Sequence, residues 1–224
     1  MKKQCVILSL LLALTACSGV PFVMPDTVAV RSDVTATQLA TSVWTAQQGV
    51  FQLRQTVLFE FRGARVPMAG LMRLDLTQGQ VRLVALNDLG VKLFDLEVTQ
   101  IGEQQHYLLP DIAKIPHFTE AVAASVRRVF LTPRPDGSET LRLTASRCQL
   151  TRSNPSREIR FTFGGNGSQL LATEVDGDQE DWMARYFEYQ TAETILYPRG
   201  IVLDDRIAGY RLTLWQEEVK RIDE

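Results

Sequence analysis

Histidine and cysteine are scarce in this chain of 224 residues, which has two of the first and three of the second. His106 and His117 stand alone, and neither joins a cluster with ligand spacing, so no metal site is expected. No Gly-x-Ser-x-Gly occurs. The glycine-rich run Gly164-Gly165-Asn166-Gly167 does not open a helix and reads as a hairpin turn, not a phosphate cradle. The acidic run Asp176-Gly177-Asp178-Gln179-Glu180-Asp181 lacks the closing glutamate and flanking helices of an EF-hand, so it reads as a solvated loop. An enzyme, a metal and a cofactor are therefore not expected. Positive charge is also short: 24 Lys and Arg face 26 Asp and Glu, a formal charge of −2. That balance argues against nucleic acid, whose phosphates demand a basic surface. Finally, no apolar run reaches the roughly 20 residues that a membrane-spanning helix requires.

What is present begins at the N-terminus. Met1-Lys2-Lys3 is basic, and an apolar run from Val6 to Ala16 is broken only by Ser9 and Thr15. This is the length of a secretory signal's apolar region. The run ends in Leu14-Thr15-Ala16-Cys17, which matches the lipobox cut by lipoprotein signal peptidase. Residues 1–16 are thus expected to be removed and Cys17 to carry the lipid. Several acyl chains on one residue anchor stably where a single chain does not. Ser18, rather than Asp, follows the cysteine and favours delivery to the outer membrane. Removing 16 of the 224 residues leaves 208, enough for one domain, and losing Lys2 and Lys3 takes the charge from −2 to −4. Cys5 departs with the signal, so Cys148 is the one free thiol and no internal disulfide is expected. Cys148 lies in an alternating run and reads as a small buried apolar residue.

Residues 17–34 contain Pro21 and Pro25 without a sustained period and read as the lipidated terminus and a tether. Residues 35–224 form the domain. Over 35–48 a helix is expected, capped by Thr35 or Thr37, with Leu39, Val43 and Trp44 as its apolar stripe. From Gly49 the period becomes two. Phe51, Leu53, Val57, Phe59 and Phe61 share one face, and Val66, Met68, Met72, Leu74 and Leu76 follow past a turn at Gly63-Ala64. Strands over 81–86 and 91–98 complete a four-stranded meander. Residues 117–131 have helical spacing, with Phe118, Val122, Val126 and Val129 or Phe130 on one stripe, before Pro133 and Pro135 stop it. Strands resume at 139–150, 158–163, 168–175, 182–190, 195–203 and 209–219. About ten antiparallel strands with two or three helices suggest an α+β, mainly β protein: one curved sheet with helices plugging one side.

One segment carries a family resemblance. Arg82 to Leu96 contains a strand, the tetrapeptide Asn87-Asp88-Leu89-Gly90, and a second strand of alternating apolar residues. It resembles LolB, the outer-membrane receptor of lipoprotein localisation, whose corresponding turn reads Asn-Pro-Leu-Gly; the proline is missing here. The order of elements is similar from residue 38 to 219: an amphipathic helix over Ala121 to Pro133, a tryptophan-bearing strand from Trp182 to Tyr189, and the closing pair Pro198 to Leu203 and Tyr210 to Leu214. Lipoproteins of aryl-polyene gene clusters share the pattern. The resemblance implies an unclosed antiparallel half-barrel whose helices lie over an apolar, acyl-accepting cavity. It also implies that a soluble periplasmic relative, LolA, delivers lipoproteins, whose acyl chains pass to the membrane with no covalent step. The partners so implied are acyl chains of lipid or lipoprotein, a periplasmic carrier, and the outer membrane through Cys17; the protein is expected to be a monomer.

The residues expected to line that cavity are Phe51, Phe59, Phe61, Met68, Met72, Phe118, Val122 and Val126. Aromatic and Met side chains adapt to flexible apolar ligands, and the same side chains also suit an ordinary core. Leu89 either projects from its turn to enter the membrane, as the resemblance implies, or folds back onto its sheet. A cavity of several hundred cubic ångströms under the helices points to a carrier. A packed centre points instead to a structural or interaction lipoprotein of the envelope.

Overall fold

The two-residue period that begins after Gly49 becomes strand after strand in the computed structural model, which describes residues 19–166, 168–192 and 195–222. Cys17 and the expected signal peptide lie outside these residues. The strands are β1 (Val50–Phe61), β2 (Ala64–Asp75), β3 (Gln80–Leu86), β4 (Lys92–Thr99), β5 (Glu103–Leu108), β6 (Thr140–Leu143), β7 (Arg147–Asn154), β8 (Arg157–Gly164), β9 (Gln169–Gly177), β10 (Asp181–Ala192), β11 (Ile195–Asp205) and β12 (Tyr210–Arg221). They form one twelve-stranded antiparallel sheet in the order β5-β4-β3-β2-β1-β12-β11-β10-β9-β8-β7-β6. This is the unclosed, mainly β architecture expected. The first strand pairs with the last, so the sheet grows outward from the β1–β12 pair toward two free edges, β5 and β6. Those edges are consecutive in sequence. The chain between them must therefore cross the open side of the sheet, and the second helix lies on that crossing.

Two strands exceed the expected ten. β5 is polar and exposed on both faces and shows no alternation to read. The run expected at 139–150 divides in two at a turn where the Thr144 hydroxyl accepts the Arg147 amide at 3.1 Å.

The helices are short. Helix α1 spans Ala36–Ser42 and a 3-10 turn, Trp44–Ala46, follows it. Thr35, not Thr37, is the cap: its hydroxyl accepts the Gln38 amide while the Gln38 side chain accepts the Thr35 amide, a reciprocal capping box. Helix α2 spans Phe118–Val126 and widens into a π turn over Arg127–Leu131. Leu39, Val43, Trp44, Val126, Val129 and Phe130 are buried against the sheet, and the Trp44 and Phe130 rings meet edge-on at 5.8 Å. The two cover elements thus touch each other as well as the sheet.

Residues 19–34, read above as a tether, lie against the domain. Phe22 is 7% exposed and packs with Phe187 and Val202 in a small second core on the sheet's outer face, flanked by Trp215. Its ring stacks on Phe187 at 5.4 Å and tilts against Trp215 at 5.5 Å. Gly200 is the floor of this slot: a Cβ there would stand 2.5 Å from the ring. The Val23 amide donates to the Glu188 carboxylate at 3.0 Å. Glu188 of β10 has a left-handed φ of 51° and lies between the pairs Phe187–Gly200 and Tyr189–Pro198, with the register unchanged across it. The strap then passes Gly165, and the Val30 amide donates to the Ala145 carbonyl at 3.0 Å before α1 begins on the opposite face.

Candidate functional site

The inner, helix-covered face has two zones along the β1–β2 hairpin. From Phe51 to Val57, inward residues of β1 are buried under the cover. Beyond Val57 the alternation fades and every residue to Phe61 is only half-buried, while β2 from Ala64 to Pro67 is exposed. The hairpin therefore projects past the helices. Of the residues expected to line a cavity, Phe51, Met72 and Val126 sit inside the packed zone. Phe59, Phe61, Met68, Phe118 and Val122 sit half-buried at its margin. Phe59 stacks on Phe61 at 6.3 Å and leans on Tyr210 at 5.7 Å; Phe118 meets Phe94 at 5.4 Å. The register puts Val66 opposite Phe59 and Met68 opposite Val57. Phe59, Phe61, Val66, Met68 and Leu212 thus make an apolar apron that the helices leave uncovered.

Under the cover, apolar side chains of the sheet and helices pack into one core. The apolar pocket lined by Trp44, Phe51, Leu53, Leu74, Leu76, Ile195, Tyr197 and Val219 has a volume of about 10 Å³, room for no more than a single water.

Two adjacent arginines pin the cover to both flanks of the sheet. The π turn sends them apart. Arg127 bonds Glu103 and donates from Nε to the Thr99 carbonyl at 2.8 Å. Arg128 bonds the buried Asp205 and lies over the Trp182 ring at 5.4 Å. The Tyr210 hydroxyl and Ser125 hydroxyl are 2.7 Å apart beneath them. Burial raises the Tyr210 phenol above its ordinary pKa, against the lowering effect of its bond to Ser125. Burial pushes the Tyr186 phenol up to about 12. Both phenols are thus held in their neutral form.

Leu89 is 87% exposed at the tip of the β3–β4 turn. The turn is braced from inside: the Asn87 side-chain oxygen accepts the amides of Leu89 at 3.0 Å and Val91 at 2.9 Å. Gly90 supplies the left-handed φ of 76° that closes it. The leucine is held outward on a rigid pedestal, at the end of the sheet toward which the apron of β1 and β2 also projects.

The acidic loop read as solvated has ion pairs. Asp181 binds Arg206 at 2.6 Å and Glu180 binds Arg157 at 3.1 Å, and the Trp182 indole donates to Glu180 at 3.0 Å. Cys148 is wholly buried in the core, and desolvation raises its thiol pKa.

Sequence reasoning missed one feature. β11 and β12 are paired only from Gly200–Trp215 to Asp205–Tyr210. Past that point β11 continues paired with β10 alone, and β12 with β1 alone. The wall forks. A cavity of about 530 Å³ opens there, lined by Thr56, Gln190, Arg199, Trp215, Gln216 and Glu217. Its only signal in the sequence is the polar pair Gln216-Glu217 interrupting an apolar strand.

The fold is a half-open antiparallel sheet with helices laid across one face. Two solved structures share it. An outer membrane lipoprotein-sorting protein domain from Vibrio parahaemolyticus matches with a TM-score of 0.53 at 8% identity, over 79% of this chain and 88% of that one. A LolA superfamily protein from Nitrosomonas europaea matches with a TM-score of 0.53 at 10% identity, over 85% of this chain and 95% of that one. No curated protein matches by sequence. The chain itself belongs to the family described as "Protein of unknown function (DUF3261)", whose sequence profile matches residues 52–218.

Proposed function

We propose that this is a LolB-like envelope lipoprotein, cut before Cys17, lipidated there and held at the periplasmic face of the outer membrane. Residues 35–224 accept acyl chains of lipid or lipoprotein from a periplasmic carrier and pass them to the membrane without covalent chemistry. One observation carries this reading: the uncovered apron of Phe59, Phe61, Val66 and Met68 opens beside the braced, outward Leu89. An acyl chain sliding along that apron keeps apolar contact from protein to bilayer. Leu89 inserted in lipid contributes roughly 1.5–3 kcal/mol, enough for a transient touch. The names of the two similar structures agree with such a role. Phe51, Met72 and Val126 become lining once the cover lifts, with the π turn as the element that moves.

Native mass spectrometry of the Cys17→Ser protein, exported to a periplasm and purified without detergent, tests the reading. Co-purifying acyl species that disappear in a Phe59→Asp, Met68→Asp variant are expected. A bare protein mass that takes up no added palmitate would eliminate it. The second reading, a packed structural lipoprotein, is favoured by the small volume of the pocket under the cover, about 10 Å³, and is what that bare mass would leave.

A further inference from the structure

The fork between β11 and β12 is the least expected part of the wall. Antiparallel neighbours joined by a short turn ordinarily stay paired along their length. Here the ladder stops at Gly200–Trp215 although both strands continue for several residues. A local irregularity on each side accompanies the divergence. Glu217 is an extra residue of β12, passed over between the pairs Gln55–Gln216 and Arg54–Glu218. On the other side, Glu188 of β10 takes a left-handed φ of 51° with no shift in its register to β11. The bulge at Glu217 bends β12 and raises its local twist, which turns that arm away from β11. Phe22 sits at the crotch, over Gly200 and against Trp215.

The polar chemistry of the opening is incomplete. Gln216 is 1% exposed and lines the cavity, yet neither its amide nitrogen nor its amide oxygen has a partner. Gln55, directly opposite it on β1, has an unpartnered side-chain oxygen. Buried amides without partners are costly, and nearly all native ones are satisfied. The charged groups, in contrast, are engaged. Arg199 pairs with Glu188 at 3.6 Å, and Glu217 accepts the Thr56 hydroxyl at 2.6 Å. The lining carries one cation and one anion, which does not suit a phosphate or a free carboxylate. A group that both donates and accepts, as an amide does, fits Gln216.

The same two strand arms also line the apolar pocket inside, through Ile195, Tyr197 and Val219. Gln190 links the two spaces: it lines the outer cavity and donates to the Tyr197 hydroxyl at 2.7 Å. An apolar chain on the inside and a polar linkage at the opening would thus meet at one break in the wall.

We propose that this fork is a side port that binds the amide linkage at the head of an acyl chain, with the Gln216 side chain as its hydrogen-bonding partner. The inference rests on the acyl-binding function proposed above and assigns it a head-group site. The apron is then where the chain slides, and the fork is where the amide is held.

The test uses the full-length lipidated protein in lipid nanodiscs. The probe is N-palmitoyl-glycinamide with a diazirine beside its carbonyl, and palmitate bearing the same diazirine is the contrast. After irradiation, labelled peptides are mapped by mass spectrometry. Labelling of segments 195–199 and 215–217 is expected, at least tenfold stronger for the amide than for palmitate. Gln216→Leu should reduce that preference to near one while labelling of 57–68 by either probe persists, which also shows that the variant is folded. Labelling confined to 57–68, or a preference untouched by Gln216→Leu, would overturn the port and leave the carrier standing. No labelling by either probe would overturn both.

Discussion

The slot that holds Phe22 makes a prediction with a definite sign. Replacing Phe22 by alanine removes a buried ring, a loss of about 1.5–3 kcal/mol. The contacts with Phe187 and Trp215 add about 0.5–1.5 kcal/mol. Replacing Gly200 by alanine places a Cβ 2.5–2.6 Å from three atoms of the same ring, which must then leave. Each single change should therefore release the strap at a similar cost of about 2–4 kcal/mol. Together they should cost no more than Phe22→Ala alone, because the methyl group then fills empty space. Alanine is also easier to order in a strand than glycine by roughly 0.5–1 kcal/mol. Urea unfolding of the four proteins gives the coupling, expected at about 2–4 kcal/mol. Hydrogen exchange at the Val23 amide, bonded to Glu188, reports release of the strap directly. Additivity of the two changes within about 0.5 kcal/mol would refute the slot as described. So would a Val23 amide equally protected in Phe22→Ala.

Other expectations follow from the same geometry. Arg128→Met leaves the buried Asp205 carboxylate without its cation and should cost about 3 kcal/mol while increasing apolar-dye binding as α2 loosens; an unchanged urea midpoint would contradict it. Leu89→Asp should leave stability within about 0.5 kcal/mol, since nothing packs on that side chain, yet abolish delivery of acyl cargo to vesicles. Cys148 should resist thiol reagents in the native state and react only on unfolding, because it is buried and its pKa is raised. Tyr186 retains its proton in the fold up to about pH 12, whereas the unfolded chain releases it near 10. Between those values the native state binds more protons, so stability should fall with rising pH by about 1.4 kcal/mol per unit for that residue. Absorbance titration of the phenolates against unfolding midpoints checks the slope.

Much of the architecture was legible because alternation reports a sheet with one buried face. Phe51, Leu53 and Val57 announce β1, and Thr35 and Thr37 bracket the start of α1 without deciding between them. β5 was not legible, since Glu-Gln-Gln-His-Tyr at a sheet edge buries neither face. The strap was missed for a different reason. Phe22 lies in a stretch without period, and its slot is made by Phe187, Gly200 and Trp215, more than 160 residues away. Nothing local distinguishes such a residue from an exposed one. The fork shares this difficulty, because a bulge is a property of two strands and only one sequence is ever read at a time. Gln216 stands out only once its partner Gln55 and the missing ladder are seen together.

The strap also sets a length. If the lipid is on Cys17, the chain from there to the buried Phe22 comprises five residue steps, which cannot extend beyond about 18 Å. An eighteen-residue tether would let the domain roam tens of ångströms from the bilayer. The docked strap reduces that range to little more than half the thickness of the bilayer's hydrocarbon core. A domain moored so closely can rock and turn but cannot travel. Any cargo must then be brought to it.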